Sequence, residues 1–263
     1  MKLMEKTAVK AICETAPNRR GLQKPNEDRL ICDPTNGIFI VLDGVTRVHD
    51  EYIQKPYESA AADVAQLFLA EVYAALLEGL STPDPEQLLR SAIRRANEKL
   101  LPYRAQKTEA EWGFFPSATG LICLLRDHTL YYAAAGDCIG VLLRGSGKQL
   151  FGCQWQLEAV DKLQPTKQQR YSRYCNHPDA SLSYTVFNGD SSVADTLTYS
   201  FMDLRRGDVL LLASDGLASY LKYEPLPKLR SQTPAEMLAD SAVYDQPPFG
   251  SYADDKTVIK IEI

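Results

Sequence analysis

The sequence predicts an α+β fold in which strands come first, a pair of helices follows and strands return, instead of a regular strand–helix alternation. Three observations carry that expectation. The run Ile38-Phe39-Ile40-Val41-Leu42 is wholly apolar and stops at Asp43-Gly44, as a strand buried on both faces and ended by a turn would. The construction recurs at Gly207-Asp208-Val209-Leu210-Leu211-Leu212-Ala213-Ser214-Asp215-Gly216. Between the two, apolar residues fall at helical spacing over successive stretches, and from Ser117 the period shortens to that of strands.

In chain order, residues 7–14 alternate loosely and Pro17-Asn18 closes them, which predicts a first strand and a turn. Residues 19–28 read as a polar loop, with the adjacent Glu27-Asp28 at the entrance to Leu30-Ile31. Over 56–79, Ala60, Ala61, Val64, Leu67, Phe68, Val72, Ala75 and Leu76 form one stripe of a helix; Pro56 suits its first turn and Gly79 its end. A second helix is expected over 85–101, with Leu88, Leu89, Ile93, Ala96 and Leu100 inward. Residues 117–125, 129–135 and 139–143 read as three strands of an antiparallel meander, turning at Arg126-Asp127-His128 and at Gly136-Asp137; His128 is then a solvated turn residue. Residues 145–195 are the least periodic, with Lys162, Lys167, Arg170 and Arg173 interleaved with Tyr171 and Tyr174, and suit either a lid-like binding segment or a surface excursion. Strands are expected again at 197–201 and 208–213, helices near 217–222 and 234–243, and a closing strand after Asp254-Asp255.

The chain has 263 residues, 45% of them apolar and 24% charged, which suits one globular domain and excludes disordered and fibrous classes. A formal net charge of -5 argues against a general grip on nucleic acid. The cysteines at 13, 32, 123, 138, 153 and 175 have no C-x-x-C spacing and sit mostly in apolar runs, so free thiols are expected rather than zinc ligands or disulfides. The first residues lack an apolar leader, and no 18 apolar residues run together; the expectation is a cytoplasmic protein without a membrane segment.

Four carboxylate features thus stand at strand ends: Glu27-Asp28, Asp43-Gly44, Asp215-Gly216 and Asp254-Asp255. If the strand ends meet, Asp43 and Asp215 bring together two negative charges that only a cation or a shared proton relieves. Hard divalent ions such as Mg²⁺ and Mn²⁺ want such oxygen ligands and keep several waters. In this order, and with Asn26, Ser117-Ala118-Thr119, Gly136-Asp137-Cys138 and Lys256-Thr257-Val258 between and around them, the elements resemble the metal-dependent, type 2C (PPM) family of serine/threonine protein phosphatases.

The resemblance spans 26–258 and implies a four-layer sandwich of two central antiparallel sheets flanked by helices, with two Mn²⁺ or Mg²⁺ ions at one end. By that likeness Asp43 bridges both ions, Asp215 and Asp254 serve the first, and Glu27 and the Gly44 carbonyl the second. Asp28 would hold a metal-bound water, Asp137 would join Asp215 at a third, weaker ion, and Asp255 would support. The implied activity is hydrolysis of phosphoserine and phosphothreonine in a phosphorylated protein substrate, by direct attack of a metal-bridging water with no covalent phospho-enzyme.

Two positions depart from the family pattern. Gln23 stands where many members carry a phosphate-gripping arginine; Lys24 beside it can attract phosphate without a bidentate fork, and Arg47 is a candidate replacement. Val45 stands where many members carry His as general acid, so the leaving oxygen would take its proton from a metal-bound water or from His49. These departures keep a second reading open: a weak or inactive phosphatase-like domain that binds metal and a protein partner. A third, bland reading makes the carboxylates ordinary turn residues of an unrelated α+β domain.

Overall fold

The computed structural model of the chain describes residues 9–17, 25–45, 59–106, 115–248 and 254–263. Its frame is two five-stranded antiparallel sheets. The first sheet takes β2 (Arg29–Asp33), β3 (Ile38–Gly44), β4 (Ala118–Arg126), β5 (Thr129–Ala135) and β8 (Thr198–Asp203), in that spatial order. The second takes β1 (Lys10–Ala16), β10 (Lys256–Glu262), β9 (Val209–Ala213), β6 (Ile139–Arg144) and β7 (Gly147–Gly152).

Side-chain parity explains the layering, because alternate strand residues face opposite ways. From β3, Ile38, Ile40 and Leu42 pack outward against α1 (Ala60–Glu78) and α2 (Pro85–Lys99), whereas Phe39 and Val41 face the other sheet. From β9, Leu210 and Leu212 meet Phe39 and Val41 between the sheets. Val209, Leu211 and Ala213 face away, toward α7 (Ala218–Tyr223), α8 (Leu226–Ser231) and α9 (Pro234–Asp240). The order is therefore helices, sheet, sheet, helices, the four-layer α+β sandwich expected from the sequence. Both apolar runs are buried on both faces, which is why neither alternates. The series Phe39, Val41, Asp43 directs Asp43 to the inter-sheet side at the rim.

The pairing of β5 and β6 differs from expectation. β5 and β6 do not pair: β5 lies between β4 and β8, while β6 pairs with β9 and β7 in the other sheet. Gly136-Asp137 is thus a crossing between sheets, not a meander turn. Gly136 makes it with φ +70°, and a Cβ there would fall 2.2 Å from Thr119 Cγ2. The Asp127-His128 turn forms as expected, both residues with positive φ (48° and 64°), which matches the twist of a tight hairpin. The first long helix begins at Ala60, with Ser59 as its cap accepting from the Ala62 N–H; the expected start at Pro56 lies outside the described residues. By length and composition α1 could cross a membrane, but here Val64, Phe68, Val72 and Leu76 are buried in the layer over β3.

Residues 145–195 are more ordered than their pattern suggested. They supply β7, α4 (Gln154–Asp161), α5 (Lys167–Tyr174) and α6 (Val193–Thr196). They also form a small core of Val160, Cys175, Tyr184 and Val186, on which Val45 packs from the end of β3. A two-way backbone bridge between Ala118 and Phe187 (3.0 and 2.8 Å) ties the segment to β4.

Candidate metal centre

Both sheets send carboxylates to one rim. Asp43 comes from the end of β3, Asp137 from the crossing before β6, and Asp215 from a 3₁₀ turn (Asp215–Leu217) directly after β9. One carboxylate oxygen from each of these three lies within 4.8 Å of the others. Glu27, Asp28, Asp254 and Asp255 arrive from the entrances of β2 and β10. Glu27, Asp28 and Asp255 are buried at 1%, 3% and 2% exposure, which for carboxylates demands partners.

Those partners are largely supplied. Ser59 donates its hydroxyl to Glu27 Oε1 while capping α1. Asp255 Oδ2 accepts the Glu27 backbone N–H at 2.8 Å. Asp28 Oδ2 accepts the Ser214 hydroxyl at 2.7 Å, and Ser214 Oγ in turn accepts the Thr257 N–H at 3.0 Å. Thr119, paired with Asp43 in register, donates to Asp137 Oδ1 at 3.0 Å. Gly44 is buried because nothing larger fits: a Cβ would come 2.9 Å from Glu27 Cβ. Gly216 is confined too, since a Cβ would lie 2.1 Å from the Asp255 carbonyl oxygen.

Two oxygens remain without partners. Asp28 Oδ1 and Asp215 Oδ1 are buried and accept no hydrogen bond. The charge state reflects the crowding. Burial, then the Asp215, Asp28, Asp254 and Asp137 charges, pushes the Asp43 carboxyl well above its ordinary range. Burial followed by Asp254 and Asp137 does the same to Asp215, partly offset by a hydrogen bond with Asp43. Asp28 is pushed up to about 7, chiefly by burial, against the lowering effect of Ser214 and Thr257. Asp137 is raised by burial, opposed by Thr119 and, more weakly, by the Arg170 guanidinium. A hard cation would relieve this repulsion and fill the orphaned lone pairs, so the residues present fit Mn²⁺ or Mg²⁺.

The expected residues thus fall in several groups. Asp43, Asp137 and Asp215 form the tight cluster, and Glu27, Asp28 and Gly44 border it. Asp254 stands outside the 4.8 Å group, yet its charge acts on Asp43, Asp215 and Asp28. Lys24, Arg47 and His49 lie outside the described residues, as does Gln23. Sequence reasoning missed Ser59 as a Glu27 partner and Ser214 as an Asp28 partner. A Ser directly before Ala60-Ala61, the first residues of the helix stripe, was the available signal for Ser59.

A thiol nucleophile is a competing phosphate chemistry, because C-x₅-R spacing occurs at Cys13–Arg19 and at Cys138–Arg144. The structure gives neither described cysteine a phosphate loop. Cys13 lies within β1, whose extended backbone cannot curl its N–H groups around an anion. Cys138 is 1% exposed; burial, with the charges of Asp43, Asp137 and Asp28, raises its thiol well above the ordinary value. Arg144 is engaged with Asp208 at 2.5 Å. No disulfide joins the cysteines among the described residues.

The architecture is that of the PPM-type serine/threonine phosphatases. No protein-family model matches the sequence, and no curated protein matches it. Among solved structures, the chain is similar to the serine/threonine phosphatase PstP/Ppp of Mycobacterium tuberculosis, with 21% identity, TM-score 0.66, and coverage of 97% of this chain and 98% of the other. The catalytic domain of PstP in complex with two manganese ions superposes at TM-score 0.63, 21% identity and 97% of each chain. PppA of Pseudomonas aeruginosa, described as a key regulatory component of a type VI secretion system, matches at TM-score 0.68 and 18% identity over 97% of this chain and 98% of that one.

Proposed function

We propose that residues 1–263 form one type 2C phosphatase-like domain that hydrolyses phosphoserine and phosphothreonine in proteins, using two Mn²⁺ or Mg²⁺ ions. The observation that carries this reading is the pair of buried, unpartnered oxygens, Asp28 Oδ1 and Asp215 Oδ1, beside the tight Asp43–Asp137–Asp215 cluster. When bound, such ions supply charge neutralisation for the phosphoryl oxygens and an activated water. Asp43, Asp215 and Asp254 are the ligands assigned to one ion, Glu27 and the Gly44 carbonyl to the other, and Asp137 with Asp215 to a third.

The chain's own contribution is orientation. Ser59 fixes Glu27, Ser214 fixes Asp28, and Thr119 fixes Asp137, so the ligand set is pre-formed and little ordering is left for binding. Asp28 accepts from Ser214 through one oxygen and keeps the other for a water at the centre. Val45 has no proton to give and instead anchors the 145–195 segment, which we read as the wall that shapes substrate access. Lys24 and Arg47 are assigned to the substrate phosphate. The test is Mn²⁺-dependent phosphate release from a phosphothreonine peptide: the wild type should turn over and Asp43→Asn should not. Equal rates with metal present would reject the reading.

The second reading, a metal-binding interaction module without turnover, rests on Val45, whose side chain packs in the Val160–Tyr184–Val186 core where a proton donor would otherwise stand. Calorimetry distinguishes it: tight, phosphate-independent partner binding with no turnover supports the module.

A further inference from the structure

Lys256 carries a charge that the chemistry above does not use. It is the first residue of β10, directly after Asp254-Asp255, and only 7% of it is exposed. Its ammonium lies 2.7 Å from Asp245 Oδ1 and donates to Ser241 Oγ at 2.9 Å. Both partners belong to the 3₁₀ turn Ser241–Asp245 that follows α9. The ion pair thus joins the turn after α9 to the start of β10, directly beside Asp254 and Asp255. The stem also runs close to the other arm, since a Cβ at Gly216 would sit 3.1 Å from Lys256 Cγ. One side chain therefore spans the turn after α9, the Asp254-Asp255 entrance and the Asp215-Gly216 corner.

Stability is a poor reason for a lysine here. Val258, two residues further along β10 and so on the same face, belongs to an apolar cluster with Met237 and Leu238. Desolvating an ion pair costs several kcal/mol, and well-packed apolar residues of similar size often do as well or better. What an ion pair adds is direction.

Resting on the metal-centre reading above, we infer that Lys256 is a positioning residue: its pairing with Asp245 sets where Asp254 and Asp255 stand relative to Asp215, and thereby sets cation affinity. The effect passes beyond Asp254, since Asp255 Oδ2 holds the Glu27 backbone N–H. A direct electrostatic role would have the opposite sign, because a lysine near a cation site repels the cation. Neutralising Lys256 should tighten binding if charge alone matters, and weaken it if position matters.

The experiment measures Mn²⁺ binding to the full chain by the electron paramagnetic resonance signal of free Mn²⁺, without reference to turnover. Lys256→Met should raise the Mn²⁺ dissociation constant about tenfold, the low end of the range for residues that support metal ligands. Because that variant leaves the half-buried Asp245 without its lysine, Asp245→Asn/Lys256→Met is measured beside it, and circular dichroism and metal-free melting confirm its fold. Should the double variant not fold, Asp245→Asn alone, which retains the Lys256–Ser241 hydrogen bond, is expected to weaken binding in the same direction. A folded variant that binds Mn²⁺ as tightly as the wild type, or more tightly, overturns the inference alone. A wild type that binds no Mn²⁺ overturns the metal-centre reading as well.

Discussion

Stripping the metal and raising the pH should loosen this protein, the reverse of the usual behaviour of surface carboxylates. Asp28 has an ordinary value of 3.8 and stands at about 7 in the fold, mainly through burial. The folded chain therefore binds a proton more tightly than the unfolded one, so the stabilisation is fully present below 3.8 and is lost as pH rises through about 7. Between pH 5 and 8, where ordinary carboxylates are already charged, this one group costs the metal-free fold ~3 kcal/mol. Asp43 and Asp215 shift in the same direction but share their charge with Asp28, so their contributions do not add. For a chain of this size, ~3 kcal/mol corresponds to a fall in melting temperature of roughly 6–12 °C. The assay is thermal unfolding followed by circular dichroism from pH 5 to 8, in EDTA and in excess Mn²⁺. Asp28→Asn should lessen the slope of the EDTA profile, leaving that of Asp43 and Asp215, and Mn²⁺ should reverse the wild-type slope, because the cation needs the deprotonated cluster. Metal-free wild type that is equally stable at pH 5 and pH 8 would refute the reasoning.

Other perturbations give separate readings of the same centre. Asp43→Asn should lower phosphopeptide turnover at least 100-fold, while raising the metal-free melting temperature at pH 8 by relieving repulsion; a lower melting temperature would argue against a crowded centre. Ser59→Ala should cost about 1 kcal/mol as a lost helix cap and weaken Mn²⁺ about tenfold through Glu27, read by denaturant unfolding and by metal titration. Gly216→Ala places a Cβ 2.1 Å from the Asp255 carbonyl, so at least ~2 kcal/mol of destabilisation in urea is expected. Asn97 accepts from the buried Gly189 N–H and donates to the Asp190 carbonyl, which also accepts from the Val193 N–H; Asn97→Ala takes the acceptor from the Gly189 N–H and should cost about 1–3 kcal/mol by the same measurement.

The parts of the fold that read clearly from the sequence are those whose signal is local. Five apolar residues before Asp43, and the matching run before Asp215, announce strands covered on both faces, and the period-two rule then aims Asp43 between the sheets. The α1 and α2 stripes are local in the same way. β6 was misplaced because the choice between pairing with β5 and crossing to β9 depends on which sheet has a free edge, and Gly136 looks the same in either case. The core of 145–195 was hidden because Val160, Cys175, Tyr184 and Val186 are too widely spaced to form a period. At the centre the carboxylates that gather at the rim could be read in order, whereas Ser59, Ser214 and Thr119, which hold some of them, are ordinary hydroxyl residues until the fold brings each to a carboxylate.

The carboxylates do not share one support. Asp43 lies in β3 of one sheet, whereas Asp137, Asp215 and Asp254 flank the ends of β6, β9 and β10 in the other, and the two sheets are joined behind the rim by Phe39, Val41, Leu210, Leu212 and Ile259. A slide of one sheet over the other by a fraction of an ångström would change the spacing of the cluster without disturbing a single backbone hydrogen bond within either sheet. The apolar interlayer is therefore the calibration of the centre. A Phe39→Leu or Ile259→Val exchange, at fully buried positions of that interlayer, would therefore cost stability and also shift the carboxylates of one sheet against those of the other.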